Sequence, residues 1–512
     1  MGQSPQRSTT TDTCLQVGDP QLPGNGRRPR VERTDHENSM TNPTLLGPRT
    51  ARLLPWIVAI AFFMQTLDGT ILNTTLPAMA ADLGENPLRM QSVVIAYMLT
   101  VALLIPASGW IADRFGTRRI FFGAIALFSL GSLLCALSES LSMLIGARVI
   151  QGLGGALMMP VGRLVVLRAY PRSELVRIMS FITLPGLLGP LIGPSLGGWL
   201  VEVASWHWIF LINLPVGLLG CWAVWRHMPD LRGPERSRFD TVGFLLFGAA
   251  MLLITVALEG LGELHLPTMR VVLLLLGGMA CLAAYWLRAG RIEQPLFAPK
   301  LFHTRSFAVG IIGNLFARLG SGALPFLTPL LLQLAMGYSP AQAGMSLIPL
   351  ALAAMAAKPL ARPLIERLGY RNILTSNTLL LGALIASLAL VDAQTSTLQL
   401  IIQLSLIGAC NSLQFTAMNT VTLIDLDNRD ASSGNSLLSV VVQLAMGLGV
   451  ASAAALLSGF SRELGDNGHV LEAFQATYLC VGLLSMLAAA IFLQLDGKDG
   501  RSGRNIEVSA DE

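Results

Sequence analysis

The chain has 512 residues, 53% of them hydrophobic and only 13% charged, against about 25% charged in an ordinary soluble domain. That balance argues against a soluble enzyme or a nucleic-acid-binding module and predicts a polytopic membrane protein, with the net charge of +4 carried mainly by loops and tails. Cys14, Cys135, Cys221, Cys281, Cys410 and Cys480 stand singly, without a CxxC pair or zinc-like spacing, so neither a disulfide framework nor a metal centre is expected.

Residues 1–52 are polar and rich in Pro, Thr, Gly and Arg, which predicts a disordered cytoplasmic tail. The basic run GRRPRVER within it reads as solvated. The first apolar segment is too long for a signal peptide and lacks a cleavage signature. Met40 stands shortly before that segment as a second candidate start, an idea that N-terminal mass analysis would refute by finding earlier residues.

The segment itself, LLPWIVAIAFFMQTLDGTILNTTLPAMAA (53–81), is long enough to cross a bilayer, because about 20 apolar residues at 1.5 Å each span a hydrocarbon core of about 30 Å. It is interrupted by Asp68. An ionised Asp at mid-membrane costs about 2.5 to 3.5 kcal/mol on insertion scales, so it should face a protein or water-lined interior.

Apolar runs then recur at 91–112, 119–138, 141–167, 177–203, 207–227, 240–259, 270–288, 306–335, 342–365, 372–391, 397–424, 434–459 and 472–495, giving about fourteen spans. With the N-terminus inside, alternate loops carry the arginines, among them Arg114, Arg118, Arg119, Arg168, Arg172, Arg177, Arg226, Arg232, Arg236, Arg238, Arg367, Arg371 and Arg429. The opposite loops hold little beyond Arg89, Arg270 and Arg462, so the positive-inside rule places both termini in the cytoplasm. The longest connections flank the seventh and eighth spans and divide the chain into a six-span bundle (53–228), two linker spans (229–300), a second six-span bundle (301–495) and a tail (496–512). Related turns, GWIADRFGTRR and ARPLIERLGYRN, follow the second span of each bundle and suggest a parallel repeat.

GWIADRFGTRR offers Gly109, Asp113, Arg114, Gly116, Arg118 and Arg119 as a cytoplasmic gate, with Asp113 and Arg114 pairing across the face, or as a plain topological anchor. In the fifth span Gly189, Gly193 and Gly197 are spaced four apart, and Pro185, Pro190 and Pro194 add bends, a pattern for close helix approach in a helix that moves. Arg148 lies inside the fourth span, where an unpaired cation is costly, and is a candidate partner for Asp68 or for a substrate. Arg318 is too deep in its span to reach the interface, whereas Arg163, Lys358 and Arg362 can snorkel. Asn73, Gln151, Arg163, Arg318, Lys358, Asn411 and Gln414 are the candidates to line a substrate cavity, although many intramembrane amides only bridge helices. No Walker loop and no nucleophile with a base is evident, so neither nucleotide hydrolysis nor enzymatic chemistry is indicated.

Together LDGTILNTTLP (67–77), GWIADRFGTRR, RVIQGLGGA (148–156), GLLGPLIGPSLGG (186–198) and SWHWIFLINLP (205–215) resemble the fourteen-helix drug:proton antiporters of the major facilitator superfamily. ASSGNSLLS and RLGSGALPFLTP add a likeness to its multidrug-resistance members. The resemblance, covering about Pro55 to Leu495, implies two six-helix bundles around a central cavity, two intervening helices and alternating access. By that pattern Asp68 carries the proton, Arg148 is its electrostatic partner, Asp113 to Arg119 form the gate, and Gly189, Pro190, Gly193, Pro194, Gly197 and Gly198 belong to the antiporter motif. His207 departs from the family, which usually has Arg there. The expectation is a monomeric, proton-gradient-driven exporter in a bacterial inner membrane, without a cofactor and with a small-molecule substrate. Its competitors are an exporter of an anionic metabolite or chelate such as iron-citrate, suited to the excess of buried cations, and a substrate:proton symporter.

Overall fold

The computed structural model describes residues 48–233, 239–261, 267–293, 295–392, 394–427, 430–464 and 469–496. The expected tails up to residue 47 and beyond 496, the alternative start at Met40, and the loop residues Arg236, Arg238 and Arg429 lie outside the described residues. Helices make up the rest, with no strand among the described residues: α1 Pro48–Ile71, α2 Leu76–Leu83, α3 Gln91–Phe115, α4 Thr117–Ala136, α5 Leu141–Ala169, α6 Arg172–Val203, α7 Trp208–Leu211, α8 Asn213–His227, α9 Thr241–Leu261, α10 Thr268–Ala289, α11 Arg305–Leu330, α12 Pro340–Ser346, α13 Ile348–Ala357, α14 Ala361–Ser387, α15 Thr397–Ile424, α16 Ala431–Leu464, α17 Val470–Leu487 and α18 Ala489–Phe492.

Thirteen continuous helical stretches among the described residues are long and apolar enough to cross a membrane. One of them, Pro340–Leu390, has 51 residues, over twice what a crossing needs, and is broken at Gly369, whose φ is 75°. Its two arms are separate crossings, which makes fourteen. Gly369 stands in the second of the two related turns, and Gly116, with φ 91°, ends α3 in the first. Both turns therefore pivot on a backbone conformation that a side chain disfavours, as a repeat requires.

The first crossing differs from its sequence reading at both ends. It begins at Pro48 rather than residue 53, and the helix stops at Ile71 instead of running to 81. Thr74 and Thr75 turn their hydroxyls onto the carbonyls of Ile71 and Leu72, and Pro77, with no N–H to give, opens the separate α2.

Burial is inverted relative to a soluble protein. Asp68, Arg148, Gln151, Asn213, Asn314 and Arg318 are buried, while Leu218, Leu219 and Trp222 are among the most exposed side chains. α1 packs on α6, α5 on α3 and α4, and α8 on α4; in the second half α11 packs on α16, α13 on α15 and α14 on α17. The halves meet along two seams, α3 with α16 and α6 with α12, and the α9–α10 hairpin lies against α3 and α16. The core follows this plan. At the end where α1 finishes, one cluster draws Ile71, Leu76, Val93 and Phe210 together with Leu324, Leu330, Val450 and Phe474 from the other half. Toward the arginine-rich end one cluster around Phe62, Phe121 and Phe128 and another around Leu374, Met418 and Phe492 are each drawn from one half alone, while a third, with Ala102, Phe247, Phe307 and Leu437, spans both halves and the linker.

Candidate functional site

Asp68 sits in the last turn of α1, and burial removes it from solvent on every side: its side chain is 1% exposed, as is that of Arg148. A buried charge must be paired and hydrogen-bonded, and α5 supplies the pair. Arg148 Nη1 donates to Asp68 Oδ2 at 2.7 Å and to Gln151 Oε1 at 2.6 Å. Gln151, one helical turn beyond Arg148, donates through Nε2 to Asp68 Oδ1 at 2.8 Å and to Ser132 Oγ at 2.7 Å. Asn213, the first residue of α8, donates to the same Asp68 oxygen at 3.2 Å and to Ser132 at 3.1 Å. Arg148 completes its shell with a 3.3 Å bond from Nε to the Val93 carbonyl and lies with Cζ 4.2 Å from the centre of the Tyr97 ring. Five helices, α1, α3, α4, α5 and α8, thus meet in one network, in which α5 and α8 bond the carboxylate and α3 and α4 hold its partners.

The sequence reading offered Arg148 as a partner for Asp68 or for a substrate and placed Gln151 among the cavity candidates, and the structure brings all three together. It did not single out Ser132, Tyr97 or Asn213. Asn213 lay within the quoted SWHWIFLINLP, and its position two residues before Pro215 gave no sign that it faced Asp68.

The glycines of α6 face α1 through a second, matching series. A Cβ at Gly189, Gly193 or Gly197 would strike Thr66 and Leu67, Thr70, or Ile71 and Thr74 respectively. Thr66, Thr70 and Thr74 share the four-residue spacing, so a threonine stripe lies in a glycine stripe. Thr70 Oγ1 reaches the Gly189 carbonyl at 3.1 Å and Thr74 Oγ1 the Pro194 carbonyl at 2.9 Å. Gly198 turns the other way, against Pro340 and Ala341 of α12, and Gly344 of α12 meets Pro194 in return. Glu202 accepts from the Ala341 amide at 2.9 Å and Gln333 donates to the Thr74 carbonyl at 3.0 Å, closing the two halves at this end. α6 remains one helix through Pro185, Pro190 and Pro194.

The proposed gate is arranged differently from its sequence reading. Asp113 lies 2.7 Å from Arg168 of α5, within its own half, in ion-pair range without hydrogen-bond alignment, and it does not pair with Arg114. Arg114 instead stacks on Trp110 and Phe115. Asp113 faces α5, where Arg168 lies, whereas Arg114 sits about 100° further round α3, beside the Trp110 and Phe115 rings. Gly116 is closed over by Asp230 of the linker, whose carboxylate accepts from the Arg118 amide at 3.3 Å, while Thr117 and Leu231 exchange bonds of 3.0 Å. Gly109 and Arg119 are exposed.

The remaining cavity candidates separate. Arg318 of α11 is 5% exposed and is held by amides alone, Asn314 at 3.0 Å and Asn419 at 3.3 Å, with the Phe415 ring 4.5 Å from Cζ. Among the described residues no carboxylate pairs with it. Gln414 is consumed in a lock between α14 and α15, accepting from Asn377 at 2.7 Å and donating to Thr378 at 2.6 Å. Asn73 bonds its own turn, to the Thr70 carbonyl at 3.4 Å. Arg163 and Lys358 are exposed and Asn411 half-buried. His207, the family departure, stacks on Trp206, whose indole N–H donates to Asp82 at 2.9 Å.

Comparison with known proteins agrees with this architecture. A family model described as Major Facilitator Superfamily matches residues 58–450 and again 310–508. The chain is 50% identical over 453 residues to "Putative multidrug resistance protein MdtD" of Yersinia enterocolitica, covering 88% of this chain and 96% of that one. A protein of the same name from Serratia proteamaculans is 50% identical over 442 residues, covering 86% and 92%. Among solved structures, a POT family transporter crystallised with 5-aminolevulinic acid superposes with a TM-score of 0.64 at 17% identity, covering 86% of this chain and 95% of that one.

Proposed function

The chain belongs to the Major Facilitator Superfamily, and from that premise we propose that it is a proton-coupled multidrug exporter working by alternating access. The observation that carries this reading is the buried Asp68–Arg148 pair. In the structure both carboxyl oxygens of Asp68 face N–H donors, from Arg148, Gln151 and Asn213. A proton arriving at Oδ2 removes the charge that Arg148 answers and converts an acceptor into a donor facing a donor. Arg148 then leans on the Gln151 and Val93 oxygens and the Tyr97 ring, and the charged link between α1 and α5 is lost, leaving the weaker Gln151 bond to Oδ1. The neighbouring contact of α1, its threonine stripe in the glycines of α6, is the surface along which such a shift reaches the seam with α12.

With the arginine-rich end in the cytoplasm, the shared core and the Glu202–Ala341 and Gln333–Thr74 bonds seal the extracellular end. On the cytoplasmic side the clusters around Phe62 and Leu374 stay within one half each, and the cluster of Phe247 and Leu437 joins the halves beside the linker. Supporting the drug assignment are the curated relatives, whose printed name is a multidrug resistance protein.

One observation favours a second reading, export of an anionic metabolite or metal chelate such as iron-citrate. Arg318 is a buried cation for which no described residue provides a carboxylate, and a substrate anion would supply one. The test is transport by purified protein in proteoliposomes under an imposed pH gradient, comparing a lipophilic cationic dye with citrate, with and without iron. Dye movement against the proton gradient supports the multidrug antiporter. Citrate movement alone replaces it with the second reading, and co-movement of substrate and protons in one direction replaces both with a symporter.

A further inference from the structure

At the arginine-rich end a cleft of about 390 Å³ opens between the turn before α11, the first turns of α11 and the end of α18. Its volume falls within the range of small-molecule sites, about 300 to 1,000 Å³. Its wall is divided by chemistry. At the mouth stand Arg305, His303 and Gln494; deeper along α11 and α18 stand Ala308, Ile312 and Ile491. Arg305, Ala308 and Ile312 lie on one helix face, and the same face continues to Phe316, with Ile312 44% and Phe316 43% exposed. From Arg305 to Phe316 the helix climbs about 16 Å, roughly half of a hydrocarbon core of about 30 Å. The cleft together with the exposed helix face that continues from it is therefore cationic at the level of a headgroup and apolar for the depth of one leaflet.

The helix end adds to this polarity. α11 starts after Thr304, which makes no side-chain cap, so its first-turn amides point at the mouth where Arg305 stands. Neighbouring cations are already committed: Lys300 pairs with Asp430 at 2.8 Å and Arg288 with Asp240. Arg305 has no carboxylate within ion-pair range among the described residues. The geometry points to a binding site for one anionic glycerophospholipid of the cytoplasmic leaflet, its phosphate at Arg305, His303 and the α11 amides and one acyl chain along Ala308, Ile312 and Phe316. A lipid held there joins the linker turn, α11 and the last helix, so it braces the second half where the linker enters it.

Native mass spectrometry of the full-length, delipidated protein tests this by titration with dioleoylphosphatidylglycerol and, separately, dioleoylphosphatidylcholine. The expected result is a first phosphatidylglycerol bound at least about fivefold more tightly than phosphatidylcholine, the weight of one basic residue at an anionic surface. Combining Arg305→Gln with His303→Gln should erase that preference, Arg305→Lys should keep most of it, and Arg371→Gln, an exposed arginine elsewhere on the same face, should leave it unchanged. Equal binding of the two lipids by the native protein would reduce the cleft to ordinary lipid contact and overturn the proposal. So would a phosphatidylglycerol preference that survives the double substitution, or displacement of the lipid by millimolar inorganic phosphate, which would make it a site for a free anion.

Discussion

Replacing Asp68 by Asn keeps the shape of the side chain and removes its charge. Arg148 then remains 1% exposed with no carboxylate in its shell and meets an amide N–H donor where Oδ2 stood, while the oxygen that is kept still accepts from Gln151 and Asn213. With the charge centres about 4 Å apart and an effective dielectric of about 20, the lost attraction is about 4 kcal/mol, in line with the 3 to 5 kcal/mol cost of orphaning one member of a buried pair (about 4). Asp68→Asn should therefore lower unfolding stability by about 3 kcal/mol, allowing for the bonds the amide still makes. The protein should still insert, because the other twelve apolar stretches are untouched and the first, Arg49–Thr74, keeps its length and loses a charge. Adding Arg148→Gln removes the orphaned cation, so the double variant should be more stable than the sum of the single effects by about 2 kcal/mol. The assay is denaturant unfolding of the single and double variants beside pH-gradient-driven transport in proteoliposomes. Transport should vanish in both, since restoring electrical balance does not restore a proton acceptor. Gradient-driven transport by Asp68→Asn at the native rate, or strictly additive stabilities, would refute the reasoning.

Three further outcomes follow from the contacts. Gly189→Ala places a methyl 2.7 Å from the Leu67 nitrogen, against 3.9 Å to the nearest atom at Gly186, so transport should fall roughly tenfold in the first, the effect of an overpacking cost of about 1 to 3 kcal/mol, and stay near native in Gly186→Ala. Arg318→Gln should leave transport of a cationic dye intact under the multidrug reading and abolish citrate transport under the anionic one, as measured in the same proteoliposomes. Asp240 accepts from the Gly243 and Leu296 amides and pairs with Arg288 at 2.5 Å; Asp240→Ala should cost about 2 kcal/mol of thermal stability by loosening the linker hairpin, with transport little changed at low temperature.

The membrane-spanning plan was legible in the sequence because a bilayer imposes a length, and the fourteen runs meet it. Asp68 and Arg148 were legible as unusual residues, since charge at mid-membrane is costly. Their meeting was not, because they are 80 residues apart and helix rotation decides which way each points. Ser132 and Asn213 looked like any small polar residues in an apolar helix. Gln414 illustrates the converse: an intramembrane amide reads the same whether it faces a cavity or locks α14 to α15. The glycine stripe was visible as a spacing, whereas the threonines that fill it carry no such signature, because a threonine that bonds its own helix serves equally well against lipid.

The α9–α10 hairpin lies against α3 and α16 and so along only one of the two seams between the halves. On that side Ala102, Phe247 and Leu437 share a core, and Leu444 and Thr255 come close across it. The other seam, α6 with α12, is built from backbone approaches at Gly198 and Gly344, and among the described residues the hairpin's main contacts do not reach it. The extra pair of helices is therefore a buttress on one flank, which makes the two edges of an otherwise repeated fold unequal.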